Sequence, residues 1–428
     1  MLKFWFSVYN AICIPALWLL FHSYGLVNLK VRRGLSGRAH VFRELNNFLK
    51  NINNEKKSII IHSSSLGEYQ QSLPLVEEFH KLNYNIIHTF FSPSGYENSK
   101  IPYQNSLKIY LPFDSIFKVK KFLDAINPEY IILIRYDLWF NFLYSARRKN
   151  IKTILANARY DEKDIFWKLP VASSFKKNLY RMIDKIFVID EEDGINYKKK
   201  LNSLNSEIIR VGDSKFERVF QASQEIAKND FINEEILKGR KVFVIGSSWK
   251  EDEEVVLPVV NKSIEFDRDI LTFLVPHEPK ETKIAIIEKN IKSKYRNLKS
   301  LRLSDISNYN GENLIIVDCI GKLINLYSIA YMSYVGGGFR SGLHNVLEPA
   351  VFNIPVFFAN DVKNSDEDEI LLKSGGGILV KDQKHFYKDF RDIMSNPSLR
   401  EKIGRRNKKV FENTLGTTKK IVNHISNN

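Results

Sequence analysis

The chain has 428 residues, 44% of them hydrophobic, and it carries 64 Lys and Arg against 49 Asp and Glu, a formal net charge of +15. This length favours two domains. The charge is either offset by an acidic partner, such as a phosphorylated substrate or an anionic membrane surface, or tolerated as a solubilising surface. No RNA-binding signature, zinc-finger spacing or helix-turn-helix pattern accompanies the charge, so nucleic acid is not an expected partner. The two cysteines, Cys13 and Cys319, argue against a disulfide framework and suit a reducing compartment.

An apolar stretch from Phe4 to Phe21 lies at the N-terminus and is a marginal membrane span. Four cations follow it within residues 30–38: Lys30, Arg32, Arg33 and Arg38. The positive-inside rule places this flank, and the chain beyond it, in the cytoplasm. Because only Lys3 precedes the apolar stretch and no clear cleavage site follows it, residues 1–30 are predicted to form an uncleaved anchor. The alternative is a core helix of the first domain.

Strand and helix patterns alternate beyond this basic flank. The predicted strands are short apolar runs: Lys57–Ser63, Asn85–Phe91, Leu107–Leu111, Tyr130–Ile134, Thr153–Ala156, Lys185–Ile189 and Ile208–Val211. The predicted helices between them are Tyr69–Leu82, Phe117–Ile126, Leu138–Lys149 and Asp193–Leu201. Strands joined by helices of this length indicate right-handed crossovers and a mainly parallel sheet. Residues 31–215 are therefore predicted to form one doubly wound domain.

A second series of strands lies in residues 216–428. These predicted strands are Lys241–Ile245, Leu271–Val275, Leu314–Val317, Met332–Val335, Pro355–Phe358 and Gly377–Val380. The sequence thus predicts an α/β protein with two facing doubly wound domains. Ligands of such sheets bind beyond the carboxyl ends of the strands, so the cleft between the domains is the expected site.

A glycine-rich block follows the predicted strand Met332–Val335. Glycines occupy positions 336–338, and a helix is predicted to begin at His344 or Asn345. Glycines let the backbone approach a phosphate closely, and the first N–H groups of a helix attract an anion. Glu348, one turn further on, could accept hydrogen bonds from sugar hydroxyls. The block indicates a nucleotide-sugar site, and the alternative is an ordinary strand-to-helix turn.

The loop after the first predicted strand runs from Ser63 to Glu68. Gly67 within this loop is predicted to allow a tight backbone. A carboxylate at the end of a strand faces the expected cleft and can accept a proton from an attacking hydroxyl. Glu68 is therefore the candidate base. The alternative is that Glu68 only complements the dipole of the helix that it opens, with Ser65 as the helix cap.

Two further turns at strand ends carry polar side chains. Ser92 and Ser94 could bind an acceptor sugar or a phosphate, although helix capping is the commoner role of such serines. Arg135 and Asp137 end another strand and are plausible substrate contacts, unless they only pair with each other.

The remaining candidates point to an anionic donor. Ser247 lies in a second strand-to-helix turn, Lys215 follows the last strand of the first half, and His277 ends the strand Leu271–Val275. His277 could bind a phosphate or a base, but a lone histidine in a turn is more often a bystander. No metal site is predicted, because the nine histidines lack the paired spacing of a zinc hydrolase.

Taken together, these motifs resemble those of the Kdo transferases, which move 3-deoxy-D-manno-octulosonic acid (Kdo) from its CMP donor onto the lipid A precursor. The resemblance covers nearly the whole chain and rests on the order and spacing of the motifs rather than on any one of them. They are the N-terminal anchor, Ser64–Glu68, Ser92–Gly95, Leu111–Asp114, Asn157–Arg159, Lys215 and Gly336–Ala350.

The resemblance implies a GT-B glycosyltransferase fold with the acceptor side in the first domain, CMP-Kdo mainly in the second, no cofactor and no divalent metal. Glu68 is implied to be the general base of an inverting displacement. The candidate donor contacts are Lys215, Ser247, His277, Gly337, Gly338, Arg340, His344, Asn345 and Glu348. The candidate acceptor contacts are Ser65, Gly67, Ser92, Ser94, Arg135 and Asp137.

This sequence departs from the family pattern at two places, which limits the roles that the resemblance assigns. Many family members have Glu-Thr-Glu-Leu-Trp where this chain has Arg135 to Trp139, which leaves the role of Arg135 open. They have Pro-Arg-His where this chain has Pro276 and His277, and Arg340 is the candidate to replace the missing cation.

The predicted function is the transfer of Kdo to lipid IVA in the synthesis of the lipopolysaccharide inner core. It is expected at the cytoplasmic face of the bacterial inner membrane, where the basic surface would be held against anionic lipid. One alternative is another GT-B nucleotide-sugar enzyme, either an epimerase or a lipid-linked sugar transferase. The other is a membrane-tethered nucleotide-sugar-binding protein without catalytic activity.

Overall fold

The computed structural model describes residues 1–53, 55–101, 103–201, 206–226, 231–362 and 367–426. The chain forms two compact units. The first unit consists of Met1–Arg218 and Leu415–Asn428, and the second of Val219–Thr414.

Four consecutive helices begin the first unit. They are α1 (Leu2–Val8), α2 (Ile14–Val27), α3 (Leu29–Ala39) and α4 (Val41–Asn51), and a π-helical segment, Tyr9–Cys13, joins the first two. Residues Leu2–Val27 make one continuous helix that is long and apolar enough to cross a membrane.

One edge of this long helix packs on the first unit. Trp5 and Tyr9 are buried, with 9% and 6% of their surface exposed. The Tyr9 hydroxyl donates a hydrogen bond of 2.9 Å to the buried carboxylate of Asp114. Only 11% of the most apolar stretch of this helix is buried. The alternative prediction of a core helix therefore applies only to the docked edge.

The first sheet contains seven parallel strands. They are β1 (Ser58–Ser63), β2 (Asn85–Phe90), β3 (Ser106–Tyr110), β4 (Tyr130–Ile134), β5 (Lys152–Ala158), β6 (Lys185–Val188) and β7 (Glu207–Arg210). The helices that follow its strands are α5 (Leu66–Lys81), α6 (Pro93–Asn98), α7 (Ile116–Ile126), α8 (Phe140–Arg148), α9 (Pro170–Tyr180), α10 (Glu191–Lys200) and α11 (Ser214–Gln224).

The strand order in this sheet is β3-β2-β1-β4-β5-β6-β7. Ile59, Ile60 and Ile61 are fully buried, as the run of apolar residues in a parallel strand covered on both faces requires. The order reverses between β1 and β4, whose neighbouring positions include Ile60 and Ile131. Crossovers leave the sheet in opposite directions at such a point, which opens a crevice beyond the carboxyl ends of the two strands.

The second sheet also has seven parallel strands. They are β8 (Lys241–Ser248), β9 (Ile270–Pro276), β10 (Ser300–Arg302), β11 (Leu314–Ile316), β12 (Met332–Val335), β13 (Val356–Phe358) and β14 (Gly377–Leu379). The helices of this unit are α12 (Glu234–Leu237), α13 (Lys250–Ser263), α14 (Glu281–Lys294), α15 (Leu323–Ser328), α16 (Leu347–Ala350), α17 (Glu367–Ser374), α18 (Gln383–Ser395) and α19 (Pro397–Thr414).

The strand order in the second sheet is β10-β11-β9-β8-β12-β13-β14, so the reversal falls between β8 and β12. The glycine-rich block follows β12, whereas Ser247 lies near the end of β8 itself and not in the turn predicted to follow that strand. β10 was not predicted, because it is a half-buried edge strand of only three residues.

The last helix, α20 (Thr417–Ser426), belongs to the first unit, although the predicted boundary put all of 216–428 in the second domain. The buried Glu217 carboxylate accepts the backbone N–H groups of Gly416 at 2.6 Å and of Thr418 at 2.9 Å. Ile421 and Ile425 complete the apolar contact with the first sheet. The packing of α20 on the first unit depends on tertiary contacts, which sequence periodicity does not predict.

Candidate active site

Glu68 lies in the first turn of α5, just after β1 and at the strand reversal of the first sheet. Ser65 caps α5, and its hydroxyl accepts the Glu68 N–H at 3.4 Å. The Glu68 carboxylate in turn accepts the Ser64 N–H at 2.5 Å through Oε2. Ser65 is thus the helix cap, as the alternative expected. Glu68 stays the candidate base, because its carboxylate has a second oxygen, Oε1.

Burial raises the pKa of the half-buried Glu68 carboxyl, and the nearby Asp137 carboxylate raises it further. The Ser64 and Ser65 N–H groups and His62 act in the opposite direction, because they stabilise the charged form. A carboxylate with a raised pKa is a stronger base once it is ionised.

Gly67 does not have the role predicted for it. It lies in the first turn of α5, and a Cβ built on it would meet only the Ser65 hydroxyl, at 3.9 Å. The close approach occurs instead at Gly95, where a Cβ would lie 2.7 Å from the Phe90 ring and 3.2 Å from the Ser65 carbonyl carbon. Gly95 thus lets the start of α6 lie against the turn that carries Glu68.

Asp137 is held by a histidine that the sequence analysis missed. His62 is fully buried near the end of β1, and its Nε2 lies 2.9 Å from the Asp137 carboxylate. Its Nδ1 lies 2.9 Å from the Thr89 hydroxyl. The pair fixes Asp137 beside the turn of Glu68. The only available signal was the position of His62 six residues before Glu68, on a strand predicted to end at the site.

Arg135 does not pair with Asp137, contrary to the alternative considered from sequence. Its Nε donates a 3.0 Å hydrogen bond to Gln71 Oε1, and its backbone has a left-handed φ of 66°. The Gln71 carbonyl accepts the Ser214 hydroxyl at 2.7 Å, next to Lys215 in the first turn of α11. Gln71 therefore connects the Arg135 turn with the start of the helix that carries Lys215.

Ser92 has the capping role that the sequence favoured. It caps α6, where its hydroxyl accepts the Gly95 N–H at 3.3 Å, and it lies 3.0 Å from the Ser94 hydroxyl. Its own N–H donates to the Ser64 carbonyl at 2.9 Å. The first unit thus brings together the turns of Ser65, Glu68, Ser92 and Asp137.

The glycine-rich block in the second unit is a loop over most of its length, and the prediction that a helix begins at His344 or Asn345 is wrong. The helix α16 begins at Leu347 and has four residues. The His344 N–H turns back to the Gly336 carbonyl at 3.1 Å, and the Asn345 side chain accepts the Leu347 N–H at 3.2 Å. These contacts favour a compact loop, so a helix dipole is not available for an anion.

An aspartate that the sequence analysis missed holds this loop. The buried Asp252 carboxylate accepts the N–H groups of Gly337 and Trp249, both at 2.9 Å, and the Tyr334 hydroxyl at 2.7 Å. Both N–H groups therefore bind a carboxylate of the protein itself. Gly338 packs tightly, since a Cβ on it would lie 1.7 Å from the Ala359 carbonyl oxygen.

Two predicted donor residues lie in an aromatic stack. The His277 ring stands between Trp249 and His344, with centroid distances of 4.7 and 4.4 Å. The Trp249 indole N–H donates to His344 Nε2 at 3.2 Å. Burial, followed by the neighbouring His277, lowers the pKa of His344 to about 4, so His344 is neutral at pH 7 and accepts this bond. Lys283, also missed from sequence, lies 5.2 Å above the Trp249 ring.

Four other predicted donor residues lie within a few sequence positions of this stack: Ser247, Arg340, Asn345 and Glu348. Asn345 donates to Glu348 Oε1 at 3.1 Å, which orients the carboxylate. Arg340 is 79% exposed and pairs with Glu251 at 3.1 Å. Ser247 has a left-handed φ of 53° at an irregularity in the register of β8.

Comparison with known proteins decides the family. Residues 39–218 match the family model described as 3-deoxy-D-manno-octulosonic-acid transferase (kdotransferase). The 3-deoxy-D-manno-octulosonic acid transferase of Rickettsia prowazekii is 30% identical over 356 residues, which make up 81% of this chain and 74% of that protein. The chain belongs to the Kdo transferase family. The predicted family and its enzyme class, glycosyltransferase, are confirmed.

Other relatives of this chain differ in length. The Haemophilus influenzae protein of the same description is 24% identical over 374 residues, 86% of each chain. A bifunctional glycosyltransferase/methyltransferase of Fusobacterium nucleatum is 28% identical over 385 residues, 87% of this chain, and the match spans 58% of its length.

Solved structures support the fold of this Kdo transferase family member. A UDP-GlcNAc 2-epimerase from Neisseria meningitidis superimposes with a TM-score of 0.60 at 14% identity, covering 87% of this chain and 100% of that one. A glycosyltransferase from Rickettsia africae gives 0.55 at 10% identity, covering 86% and 97%. With the two parallel sheets, these likenesses confirm the predicted α/β GT-B class and say nothing of substrate.

Proposed function

We propose that this protein transfers Kdo from CMP-Kdo to a lipid A precursor, lipid IVA, in the synthesis of the lipopolysaccharide inner core. The observation that carries the proposal is the half-buried Glu68 at the strand reversal of the first sheet, with its pKa raised by burial. A carboxylate in this place has the strength and the partial exposure that a general base requires.

In the first unit, Glu68 would take the proton from the attacking hydroxyl of the acceptor. The acceptor oxygen then forms a bond to the anomeric carbon of Kdo as the bond from that carbon to the CMP phosphate breaks, with inversion. The His62–Asp137 pair would orient the acceptor, because its 2.9 Å contact keeps the Asp137 carboxylate in one position. Arg135, fixed by Gln71, supplies a cation for an acceptor phosphate.

In the second unit, the residues around the glycine loop would bind CMP-Kdo. The stack of Trp249, His277 and His344 offers a flat face and imidazole nitrogens to the nucleotide. Glu348, oriented by Asn345, is the proposed acceptor of sugar hydroxyls. Arg340 and Lys215 remain the proposed cations for the donor.

We also propose that the helix Leu2–Val27 attaches the protein to the cytoplasmic face of the inner membrane. Its length, its apolar composition and the large exposed share of its surface support this attachment. Arg38 does not contribute a membrane-facing charge, because its guanidinium is stacked 4.6 Å from the Phe91 ring and donates to the Phe91 carbonyl at 2.7 Å. Lys30 and Arg32 are exposed cations of this flank, and the exposed Arg33 forms an ion pair with Glu97 at 3.0 Å.

The direct test is to incubate the purified full-length protein with CMP-Kdo and lipid IVA in detergent and to analyse the lipid by mass spectrometry. The proposal predicts lipid IVA extended by Kdo together with free CMP. Supplying UDP-GlcNAc in a parallel reaction tests the epimerase alternative. Conversion of UDP-GlcNAc without transfer of Kdo, or binding of CMP-Kdo without any product, would overturn the proposal.

A further inference from the structure

A small apolar cavity lies in the first unit, next to the turn of Ser92, which forms part of its lining. Its volume is about 170 Å³, comparable to the engineered apolar cavity of about 150 Å³ that accommodates a benzene molecule. Its apolar lining comes from two N-terminal helices and two strand-end turns: Phe21, Val31, Leu35, Phe91, Pro93 and Phe113.

The packing of Arg38 keeps the cavity apolar. Its guanidinium donates to the Gly34 carbonyl at 3.0 Å and to the Phe91 carbonyl at 2.7 Å, so its charge is directed at the backbone rather than at the cavity. A Cβ at Gly34 would lie 3.1 Å from the Arg38 guanidinium and 3.4 Å from the Pro93 ring, so the glycine lets α3 and the start of α6 approach closely at this wall. Lys30 is the exposed cation in the lining.

Two elements that line the cavity continue along the chain into an exposed apolar surface and toward the turn of the proposed base. The helix α2, which contributes Phe21 to the lining, ends in Leu26 and Val27, each 82% exposed. Phe91, which also lines the cavity, precedes Ser92, whose N–H donates to the carbonyl of Ser64 at 2.9 Å. A molecule with a polar reacting end and a hydrocarbon tail matches this order of a polar turn, an apolar cavity and an exposed apolar surface.

We propose that this cavity is a subsite for a hydrocarbon segment of the acceptor, one of its acyl chains. The inference rests on the proposed function and specifies how the acceptor is recognised. A cavity of this size takes part of a chain rather than a whole one, and the remainder would lie along the apolar surface of α2. Lys30 at the rim is placed to attract an acceptor phosphate while the chain enters.

The test compares acylated lipid IVA with the same phosphorylated disaccharide after removal of its acyl chains. Val31→Trp fills the cavity, and Leu29→Trp, on the same helix but 57% exposed, is the matched control. Val31→Trp should raise KM for the acylated acceptor about tenfold or more, since two buried methylenes account for such a factor. KM for the deacylated acceptor should stay within about twofold, and Leu29→Trp should leave both values unchanged.

Equal KM values of the parent protein for the two acceptors would overturn the subsite while leaving the proposed function intact. Loss of transfer to both acceptors in the parent would overturn the proposed function itself.

A labelling experiment on the parent protein covers the case that Val31→Trp fails to fold. Lipid IVA with a diazirine in one acyl chain should label peptides containing residues 30–38 or 91–93. A phospholipid with the same diazirine should label them far less. Equal labelling by both lipids, or labelling only elsewhere, would contradict the assignment to the acceptor.

Discussion

Glu68 combines a structural role with a proposed chemical one. Oε2 accepts the Ser64 N–H at 2.5 Å and helps to fix the start of α5, and Oε1 is the proposed proton acceptor. The capping pattern of Ser65 and Glu68 was readable from sequence, because it depends on spacing within one turn. The effect of Asp137 and His62 on Glu68 was not, because both reach the turn through the packing of neighbouring strands.

The two neighbours of Glu68 should move the pH dependence of transfer in opposite directions. Asp137 raises the pKa of Glu68 and His62 lowers it, after the larger effects of burial and of the Ser64 N–H. The base works when it is ionised, so Asp137→Asn should shift the acid limb of kcat/KM to lower pH, and His62→Gln should shift it to higher pH. The measurement is kcat/KM from pH 4 to 8. An acid limb unmoved in both variants would contradict the role of Glu68 as the titrating base.

Asp252 has the corresponding positioning role in the second unit. It binds the N–H groups of Gly337 and Trp249, so it joins the two turns at the strand reversal of the second sheet. Asp252→Asn presents an NH₂ group to one of its three donors and should weaken CMP-Kdo binding roughly tenfold. Glu254→Gln, on the same helix but in an exposed pair with Lys250, should leave the affinity unchanged. Calorimetric titration with CMP-Kdo measures the affinity of both variants. Equal affinities of Asp252→Asn and Glu254→Gln would contradict the positioning role of Asp252.

At the scale of elements, the N-terminal helix has two chemically different sides. Phe4 is 63% exposed, whereas its neighbour Trp5 is 9% exposed and its indole donates to the Ser174 hydroxyl at 3.3 Å. The apolar run of this helix was readable from sequence. Its docked edge was not, because apolar residues occur on all sides of the helix.

This difference predicts unequal effects of truncating the two neighbouring residues. Trp5→Ala removes a buried ring, a change that typically costs about 3 kcal/mol, and should therefore speed amide hydrogen exchange in α1 about 100-fold. Phe4→Ala should change it less than about threefold, because an exposed side chain contributes little. Equal exchange in the two variants, measured by mass spectrometry, would show that α1 is not docked as described.

The short elements explain where sequence reasoning failed. Long apolar strands such as β1 and β4 were found within a residue or two, because a buried parallel strand gives a continuous apolar run. β10 has three half-buried residues and gives no such run. The glycine block was recognised as a turn, but its hydrogen bonds to Gly336 and Asn345 determine where α16 begins, and sequence spacing cannot supply them.

At the scale of the whole molecule, the order of the motifs identified the family better than any single residue did. The Ser64–Glu68 turn falls at the strand reversal of the first sheet and the glycine block at that of the second, although the two sheets differ in strand order. Such reversals are where doubly wound sheets bind ligands, so the positions of the candidate residues followed from the strand pattern. The return of α20 to the first unit and the contacts of His62 and Asp252 needed the folded structure.

The most direct test of the account is to separate donor binding from transfer with a single substitution. Glu68→Gln keeps an oxygen for the Ser64 N–H and loses the base, so it should bind CMP-Kdo with parental affinity and lose transfer by a factor of at least about 100. Glu77→Gln, at a half-buried carboxylate paired with Lys81 near the other end of the same helix, is the control and should behave like the parent. Both are measured by calorimetric titration with CMP-Kdo and by transfer of Kdo to lipid IVA. Transfer at the parental rate by Glu68→Gln would contradict the assignment of Glu68 as the general base.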